Sequence, residues 1–462
     1  MIRLWQKVAV VLGVVASTQH VLLAQQSQQR ATSSRATRVA MQSLPPAGGG
    51  YEEVVPRPVQ SGQGVSIAAP EGASLTLDQA SELAVRNNPI LVRARAQIDS
   101  KMGIAIQAGI PPNPRYDTNN PQVFAGGQSQ YNAGFCQEVP VKGKLRLDRA
   151  AAMQDVEQAR MGYIRQRFEL LTAVRQQFYH MLAQERRVAV LEQLVQIASK
   201  SHSAAQQREK AGQVAETDVL LLLTELQQAQ IALENSRTIL AGARRALAAT
   251  MGIPAFPIQD ALGDLTANLP KFDEEPMRQF IATRNAAVVE AQLQIAQNRF
   301  LYQRARVEPY PNPYVGPAIA FGPSSGSNGG NGAQLWINMQ MNIPVWNLNQ
   351  GNIRAANANI RDSVASVGVL QNDLLRQAAE TLATYRTARD RSLRIGEEIL
   401  PTAERTQRLV RNAYDVGQMD VAPVLQAQRA LTQVNLDYIE TLETAWMSAA
   451  TLAGLLQVES FP

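Results

Sequence analysis

The sequence predicts a mainly α-helical protein with a small β part, in which one structural plan occurs twice. Three observations support this fold class: a strand with strict alternation, two very long helical stretches, and markers that repeat at near-constant spacing. In residues 335–343, Leu, Ile and Met occupy the odd positions, and Trp336, Asn338, Gln340 and Asn342 lie between them. Period-two alternation places one set of side chains on each face of a strand. One face of this strand is therefore apolar and the other is rich in amides.

The composition excludes several classes of function. The chain has 462 residues, of which 45% are hydrophobic and 18% charged, and 44 Lys and Arg against 39 Asp and Glu give a net charge of +5. This small excess forms no basic run, so nucleic acid is not expected as a partner. The single cysteine, Cys136, rules out an internal disulfide framework. Beyond the N-terminal region, no apolar run reaches the roughly eighteen residues of a transmembrane helix.

The N-terminus has the pattern of a secretory signal, which we assign to residues 1–24. Arg3 and Lys7 precede the apolar run Val8–Val15, and small residues near Ala24 mark the cleavage region, with Ala16 as the alternative position. An ordinary buried N-terminal helix is the alternative. The segment that follows, 25–74, is rich in Gln, Ser, Pro and Gly. It has too few large apolar side chains to offset the entropy of ordering, so we expect a disordered leader.

The rest of the chain divides into two repeats joined by a linker. We place the first repeat at 75–252, the linker at 253–274 and the second repeat at 275–457. Four markers recur in the same order at offsets of about two hundred residues, far longer than any solenoid period. They are Pro112–Asn113–Pro114 and Pro311–Asn312–Pro313, Val139–Pro140–Val141 and Ile343–Pro344–Val345, Tyr179 and Tyr385, and Gly212–Gln213–Val214 and Gly417–Gln418–Met419.

Each repeat begins with helices and continues with two strands. In the first repeat, Ser74 or Thr76 is the N-cap of a helix that begins at Leu77. The Pro-Asn-Pro element ends the helical stretch that follows, because proline cannot continue a helix. The predicted strands lie at about 115–124 and 130–139 in the first repeat, and at about 314–321 and 333–343 in the second.

A very long helical region follows each pair of strands. These regions run from about 144 to 211 and from about 349 to 416, and Pro401 is expected to kink the second. At about 1.5 Å per residue, each spans on the order of 100 Å, which is too long for one compact globule. Each ends in a turn, at Gly212 or Gly417, that leads back into another long helix. The helices must therefore lie against equally long partners.

Four strands are too few to close a membrane barrel. Only helices and closed barrels can span the hydrocarbon region, because strand edges find no water there. A transmembrane barrel needs at least about eight strands, so several copies of the chain must share one, and three copies supply about twelve. We expect five aromatic residues to form girdles at the membrane interfaces. They are Tyr131, Phe135, Tyr314, Phe321 and Trp336.

This order of elements resembles the outer-membrane efflux protein family, the TolC-like outer-membrane factors of tripartite efflux systems. The resemblance covers about 75–457. Its motifs are Leu75–Thr76–Leu77–Asp78–Gln79–Ala80, Asn87–Asn88–Pro89, and Gly212 followed by Asp218–Val219–Leu220. The resemblance implies a homotrimeric exit duct, with a β-barrel in the outer membrane and an α-barrel across the periplasm. It also implies docking to a periplasmic adaptor and an inner-membrane pump, in an efflux or type I secretion system.

The resemblance further implies that the two glycine turns form periplasmic tips that meet the adaptor. The tip residues are Ala211, Gly212, Gln213, Val214, Val416, Gly417, Gln418 and Met419. A turn that reverses a helix favours Gly in the left-handed conformation, and it exposes small side chains. The matching gate residues are Asp218 and Tyr414, a hydrogen-bond acceptor and donor, with Asp420 close by. The positions of the family's acidic ring hold Pro423 and Gln426 here.

No catalytic, cofactor or metal site is expected, and we do not predict an enzyme. The only histidines, His20, His180 and His202, lack the spacing of metal ligands. Carboxylates along the long helices, such as Glu225 and Glu234, are interpreted as solvated residues. The alternative function is that of a secreted or periplasmic coiled-coil scaffold without transport activity. The substrate of a duct stays open among drugs, metal ions and peptides.

Overall fold

The computed structural model describes residues 73–461, apart from 120–130, 213, 268, 324–330 and 417. The expected signal and nearly all of the expected leader lie outside the described residues. The described chain is mainly helical with a small strand part, which confirms the predicted fold class. None of its described helices is both long enough and apolar enough to cross a membrane.

The helices and strands follow one another in two series. The first series is β1 (Ala73–Thr76), α1 (Leu77–Asn87), α2 (Pro89–Ala108), β2 (Arg115–Asn119), β3 (Tyr131–Glu138), α3 (Lys144–Lys210), α4 (Glu216–Thr250) and β4 (Ile258–Leu262). The second series is α5 (Glu274–Thr283), α6 (Ala286–Val307), β5 (Tyr314–Pro323), β6 (Asn331–Gln340), α7 (Gln350–Arg394), the π-segment (Ile395–Ile399), α8 (Leu400–Asp415) and α9 (Val421–Leu455).

The start of the described chain contains a strand that the sequence did not reveal. β1 pairs in parallel with β4, so that Leu75 lies beside Ala261. β4 lies in the segment 253–274, which was expected to be only a linker. Thr76, rather than Ser74, is the N-cap of α1, because its hydroxyl accepts a hydrogen bond from the Gln79 N–H at 3.3 Å. The Gln79 side chain accepts from the Thr76 N–H at 3.0 Å, which completes a capping box.

The other four strands form one antiparallel sheet in the order β2–β3–β5–β6. β3 pairs with β5 across the two repeats, so each repeat contributes one hairpin to a common sheet. β2 and β6 have no neighbour on their outer sides among the described strands. The sheet therefore ends in two open edges.

The helices lie side by side in the same order as the strands to which they connect. Near the sheet, α2 packs on α3, α3 on α6, and α6 on α7. α2 leads into β2, β3 into α3, α6 into β5, and β6 into α7. Farther from the sheet, α4 packs on α3, α3 on α9, and α9 on α7 and α8. The described helices therefore form a wall, with α2 and α4 at one edge and α7 and α8 at the other.

The largest core cluster brings residues of both repeats together. Trp446 of α9 is fully buried, and its indole stacks on the Tyr179 ring with centroids 4.4 Å apart. The indole N–H of Trp446 donates a hydrogen bond to the carbonyl of Leu265 at 2.9 Å. A second cluster surrounds Tyr385, whose ring meets that of Phe272 edge to face at 5.2 Å. Each repeat therefore anchors its wall with a buried tyrosine.

The second long helix is interrupted, whereas the first is not. α3 is one α-helix of 67 residues, but α7 ends at Arg394 and the π-segment separates it from α8. Pro401 lies in the first turn of α8. Because proline offers no N–H to the carbonyl four residues earlier and its ring crowds that carbonyl, the regular ladder cannot run through this point. A π-helical turn is one of the ways in which a helix accommodates such a break.

Candidate functional site

The first helix-reversing turn depends on a glycine in the left-handed conformation. Gly212 has a φ of 70°, and its N–H donates a hydrogen bond to the Glu209 carbonyl at 2.8 Å. A side chain at this position would meet nothing within 4 Å, so the backbone conformation alone demands glycine. Ala211 and Gly212 are exposed, and Val214 is half-buried. Gln213 lies outside the described residues.

The second turn exposes larger apolar side chains. Val416 follows α8 with 69% of its surface exposed, and Met419 is also exposed. The Gln418 N–H donates a hydrogen bond to the Ala413 carbonyl at 2.9 Å, which closes the end of α8. Gly417 lies outside the described residues. The two turns thus present a small and a larger apolar surface at the same end of the wall.

A small apolar cluster joins the two hairpins just above the turns. We call α3–α4 the first hairpin and α8–α9 the second hairpin. Ala205, Val219 and Leu222 of the first hairpin pack on Val421 of the second, and all four are buried. Tyr414 and Leu425 lie against them and are partly buried. This cluster resembles the core of a short four-helix bundle, with apolar residues on the facing helix surfaces.

The expected hydrogen bond between Asp218 and Tyr414 is not formed within the described chain. The guanidinium of Arg208 instead lies over the Tyr414 ring, 5.3 Å from its centroid. Val219 turns toward the second hairpin, and Asp218, one residue earlier, is rotated by about 100° to the side of α4. Asp420 precedes α9 without capping it through its side chain.

An ion pair between the hairpins was missed by the sequence analysis. Glu225 of α4 is only 8% exposed, so its interpretation as a solvated residue is wrong, whereas Glu234 is exposed. The Glu225 carboxylate accepts hydrogen bonds from Arg429 of α9, at 3.0 Å from Nε and 2.5 Å from Nη2. This carboxylate raises the pKa of the Arg429 guanidinium. The one feature of the sequence that points to this ion pair is the separation of residues 225 and 429, which is almost one repeat length.

The sheet has one face that is apolar and exposed. The register of the four strands places six large side chains on this face. They are Tyr116, Phe135, Phe321, Leu335, Ile337 and Met339. Leu335 and Ile337 are 79% and 76% exposed, which is unusual for side chains of this size in water. The opposite face carries Asn338 and Gln340 together with small residues.

The five aromatic residues expected to form a girdle do not share one face. Phe135 and Phe321 lie on the apolar face, but Tyr314 and Trp336 lie on the opposite face. The Tyr314 hydroxyl donates a hydrogen bond to the Glu138 carboxylate at 3.2 Å. The side chain of Tyr131 lies outside the description. Tyr116, which the sequence analysis did not single out, instead packs on Phe135, with ring centroids 5.4 Å apart.

Both edges of the helical wall also expose large apolar side chains. At the α2 and α4 edge they include Val92, Leu221 and Ile231, each at least half exposed. At the α7 and α8 edge they include Val369 and Leu409, which are 62% and 61% exposed. Apolar residues in two separate strips at opposite edges of a wall indicate surfaces that meet other surfaces of the same kind.

Comparison with known proteins agrees with this architecture. Residues 278–456 match the model of a family described as outer membrane efflux protein. The cobalt-zinc-cadmium resistance protein CzcC of Cupriavidus metallidurans is 25% identical over 390 residues, covering 83% of this chain and 90% of CzcC.

Solved structures share the fold. A membrane protein from Pseudomonas aeruginosa superposes with a TM-score of 0.71 at 19% identity, covering 82% of this chain and 92% of that one. CusC, whose structures concern folding and transmembrane channel formation, gives a TM-score of 0.71 at 16% identity, covering 84% of this chain and 93% of CusC.

Proposed function

Because this chain carries an outer membrane efflux protein domain and has the TolC-like fold, we propose that three copies form the exit duct of a tripartite efflux system. One observation carries this proposal. The sheet and the helical wall are both open at their two edges, and the edges coincide: β2 continues α2 at one side, and β6 leads into α7 at the other. A neighbouring copy that pairs its β6 with β2 also brings its α7 against α2.

Closure by several copies satisfies both layers at once. In lipid, an open strand edge leaves its N–H and C=O groups unpaired, each at a cost of several kcal/mol. Three chains of four strands make a ring of twelve, within the range of known transmembrane barrels. The same closure buries the exposed apolar strips of the helical wall, which include Val92 and Ile231 at one edge and Val369 at the other.

The faces of the sheet orient the barrel. Leu335, Ile337 and Met339 point to lipid, and the face with Asn338 and Gln340 points to a water-filled interior. Phe135, Phe321 and Tyr116 lie on the lipid side of the sheet. Tyr314 and Trp336 face the interior, and the girdle proposed from the sequence is revised accordingly.

The helical end opposite the sheet extends into the periplasm, where the turns meet the adaptor and, with it, the inner-membrane pump. The tip surface consists of Ala211, Gly212, Gln213, Val214, Val416, Gly417, Gln418 and Met419. Exposed apolar side chains such as Val416 support a partner surface there. Asp218, Tyr414 and Asp420 lie beside the turns and narrow the opening, although the first two are not bonded to each other.

We infer that the cargo is chosen by the pump. Among the described residues, no group of three or more His, Cys, Asp or Glu side chains is placed to hold a metal ion. The name of the relative CzcC links that protein to cobalt, zinc and cadmium resistance. Divalent transition metal ions are therefore the first cargo to test, by comparing the growth of a deletion strain and a complemented strain in each metal.

Reconstitution of the protein into lipid bilayers tests whether it forms a duct. Protein extracted in detergent should run as a trimer, and it should give stable single-channel currents in planar lipid bilayers. A water-soluble dimer without conductance would contradict the proposal and favour a coiled-coil scaffold.

Substitutions at the turns test the assignment of the tips. Gly212→Asp and Gly417→Asp should abolish export and leave the trimer intact, because Asp adds charge to a surface that meets the adaptor. At Gly212 it also strains a left-handed turn. Arg237→Glu, on the exposed flank of α4, is the control and should export normally. Wild-type export by either glycine variant counts against the tip assignment.

A further inference from the structure

The chain that follows β3 is held by the Pro-Asn-Pro element that precedes β5. The Val139 N–H donates a hydrogen bond to the Pro313 carbonyl at 2.9 Å, and the Val141 N–H donates one to Asn312 Oδ1 at 3.2 Å. The side-chain amide of Asn312 also donates to the Glu138 carboxylate at 2.7 Å. The asparagine of this element is therefore a seat on which the end of a strand from the other repeat rests.

Both halves of this contact occur a second time, at the open edges of the sheet. Val141 corresponds to Val345, which follows β6, and Asn312 corresponds to Asn113, which precedes β2. Val141 and Asn312 are half-buried, whereas Val345 and Asn113 are exposed. Neither Val345 nor Asn113 has a hydrogen-bond partner within the described part of the chain. A strand end and a seat are thus both present at the edges, each without its counterpart.

The strand end after β6 also carries a highly exposed tryptophan. Trp346 follows Val345 directly and is 88% exposed. In the first repeat this position is Lys142, whose ammonium lies 4.8 Å from the centroid of the Tyr310 ring. At the spacing of the Pro-Asn-Pro elements, Tyr310 corresponds to Pro111. A tryptophan exposed to this extent indicates a surface that another surface covers, and an apolar proline ring suits an indole.

The correspondence between the repeats extends to the register of the strands. Tyr314 of β5 lies opposite Gln340 of β6. The Pro-Asn-Pro elements are 199 residues apart, and the Val-Pro-Val and Ile-Pro-Val elements that follow the inner strands are 204 apart. At these offsets the counterparts of Tyr314 and Gln340 are Arg115 and Cys136, which lie opposite each other in β2 and β3. The two offsets therefore describe real structural equivalence.

These offsets predict which residues meet when β6 of one copy pairs with β2 of the next. They convert the register of β3 and β5 into one in which Met341 lies opposite Tyr116, and Gln340 opposite Asp117. By alternation, Met341 and Tyr116 both belong to the apolar face, and Gln340 and Asp117 both belong to the polar face. A shift by one residue would place Tyr116 opposite an amide. The transferred register thus keeps each face of the sheet continuous across the copies.

We propose that the strand end after β6 of one copy rests on the Pro-Asn-Pro seat of the next copy. Asn113 accepts a hydrogen bond from the Val345 N–H of its neighbour, and Trp346 of that neighbour packs over Pro111. This seat sets the register in which β6 and β2 pair. The inference rests on the proposed function, since it specifies how the copies of the duct join.

The contact between copies differs from the contact between repeats in its charges. Asn342 stands where the first repeat has Glu138, and Trp346 stands where it has Lys142. Attraction between exposed charges is weak in water, whereas a tryptophan that becomes buried at an interface is often one of its strongest contacts. The copies are therefore joined at this point by an apolar anchor and neutral hydrogen bonds.

A pair of introduced cysteines tests the seat. A chain with Asn113→Cys and Val345→Cys, on a Cys136→Ser background, is purified in detergent and treated with a mild oxidant. It should run as covalent dimers and trimers on a non-reducing denaturing gel, because the two positions meet only across copies. The pair Asn312→Cys with Val141→Cys should instead close within one chain and run as a monomer.

A second cysteine pair tests the register. Thr118→Cys with Val345→Cys, on the same background, moves one cysteine five residues along the chain, from the seat into β2. At about 3.3 Å per residue this separation is too long for a disulfide, so this pair should not cross-link.

Removal of the tryptophan tests the anchor. Trp346→Ala should lower the ratio of trimer to monomer in detergent at least about tenfold, because each trimer loses three buried indoles. Trp336→Ala is the matched control, since it removes the same side chain from the interior face of β6 and should leave the ratio unchanged.

Each outcome decides the proposal. If trimers that conduct show no cross-link between positions 113 and 345, the seat is overturned and the duct stands. Equal cross-linking of the 118 and 345 pair overturns the register. A wild-type ratio in Trp346→Ala, or an equal loss in Trp336→Ala, overturns the anchor. If the double-cysteine chain does not assemble, the two tryptophan variants decide alone. A wild-type protein that is monomeric and without conductance would instead contradict the duct itself.

Discussion

The first and second repeats share one plan but occupy different places in the wall. α3 runs unbroken for 67 residues through its centre and packs on α2, α4, α6 and α9. Its counterpart is divided into α7, the π-segment and α8, and it lies at an edge. α3 carries many buried large side chains, such as Phe178 and Met181, whereas α8 carries none among residues 400–414.

The long helix that is broken is thus the one at an edge of the wall, and the long helix at the centre is unbroken. A helix with neighbours on several sides loses packing wherever it bends, so a break in α3 is costly. A helix at an open edge has fewer packing contacts to lose and bends at lower cost. The break near Pro401 therefore lies in the repeat that can accommodate it.

The largest effect is expected in the core that joins the repeats. Trp446→Ala should lower the free energy of unfolding by about 3–5 kcal/mol, because it leaves a large cavity beside Tyr179. It also leaves the Leu265 carbonyl without its indole donor. Denaturation of the detergent-solubilised protein measures this change. Phe272→Ala, which removes a half-buried ring packed against the buried cluster around Tyr385, is the comparison and should cost clearly less.

Adding a proline to the first long helix and removing one from the second should affect stability by very different amounts. Val195 lies in α3 at the offset of 206 that relates Tyr179 to Tyr385, so it corresponds to Pro401. Val195→Pro should cost about 3 kcal/mol or more, because it removes a hydrogen bond inside an unbroken helix. Pro401→Ala should change stability by only about 1 kcal/mol or less.

Thermal unfolding of both variants, with Val195→Ala as the control for side-chain loss, measures the difference. Equal effects of the two proline changes would contradict the contrast between a rigid and a broken helix.

The two faces of β6 should respond differently to the same charge. Ile337→Arg should destabilise the folded trimer in lipid by about 2–4 kcal/mol, if this side chain faces the middle of the bilayer. Asn338→Arg, one residue along the same strand, should be tolerated because it faces the water-filled interior. Folding into lipid vesicles followed by urea titration compares them. A greater loss of stability in Asn338→Arg than in Ile337→Arg would contradict the proposed orientation of the sheet.

The smallest effect concerns a titratable contact that only the first repeat has. His180 corresponds to Arg386 at the same offset, and each forms an ion pair, with Glu443 and Glu274 respectively. The hydrogen bond that His180 donates to the Glu443 carboxylate raises the pKa of His180 above its usual value of 6.5, although burial opposes this. The stabilisation is thus fully present below about pH 6.5 and is lost as the pH rises through the raised pKa of the folded state.

The melting temperature should therefore fall modestly between about pH 6 and about pH 9, and this fall should be smaller in His180→Gln. Arg386→Gln should retain it, because arginine does not titrate in this range. A fall of the same size in His180→Gln as in wild type would exclude the histidine as its source.

The sequence analysis identified features that depend on local chemistry. Alternation around Trp336 predicted a strand with one apolar face, and β6 has that face. The resemblance to the outer-membrane efflux protein family, which rested on the order of the motifs, agrees with the family model that matches residues 278–456 and with the similarity to CzcC. The strand β1 and its partner β4 were missed, because strands of only four and five residues are too short to show a clear alternation.

Two interpretations that were based on local chemistry disagree with the structure. Glu225 was interpreted as solvated because glutamate on a helix usually is, and nothing near it in sequence revealed Arg429. The aromatic residues of the strands were grouped by type, although Tyr314 and Trp336 lie on the face opposite Phe135. Register between strands decides which residues share a face, and register is a long-range property.

Four features were predictable from residue patterns alone: the two-fold repetition, the long helices, the glycine turn at Gly212 and the apolar strand face. These depend on period, capping and backbone freedom, which act within a few residues. Only the tertiary structure decided that α3 lies at the centre and α7 at an edge, and that Glu225 meets Arg429. The reason is that burial and pairing depend on which surfaces meet, and here those surfaces are separated by about one repeat length of chain.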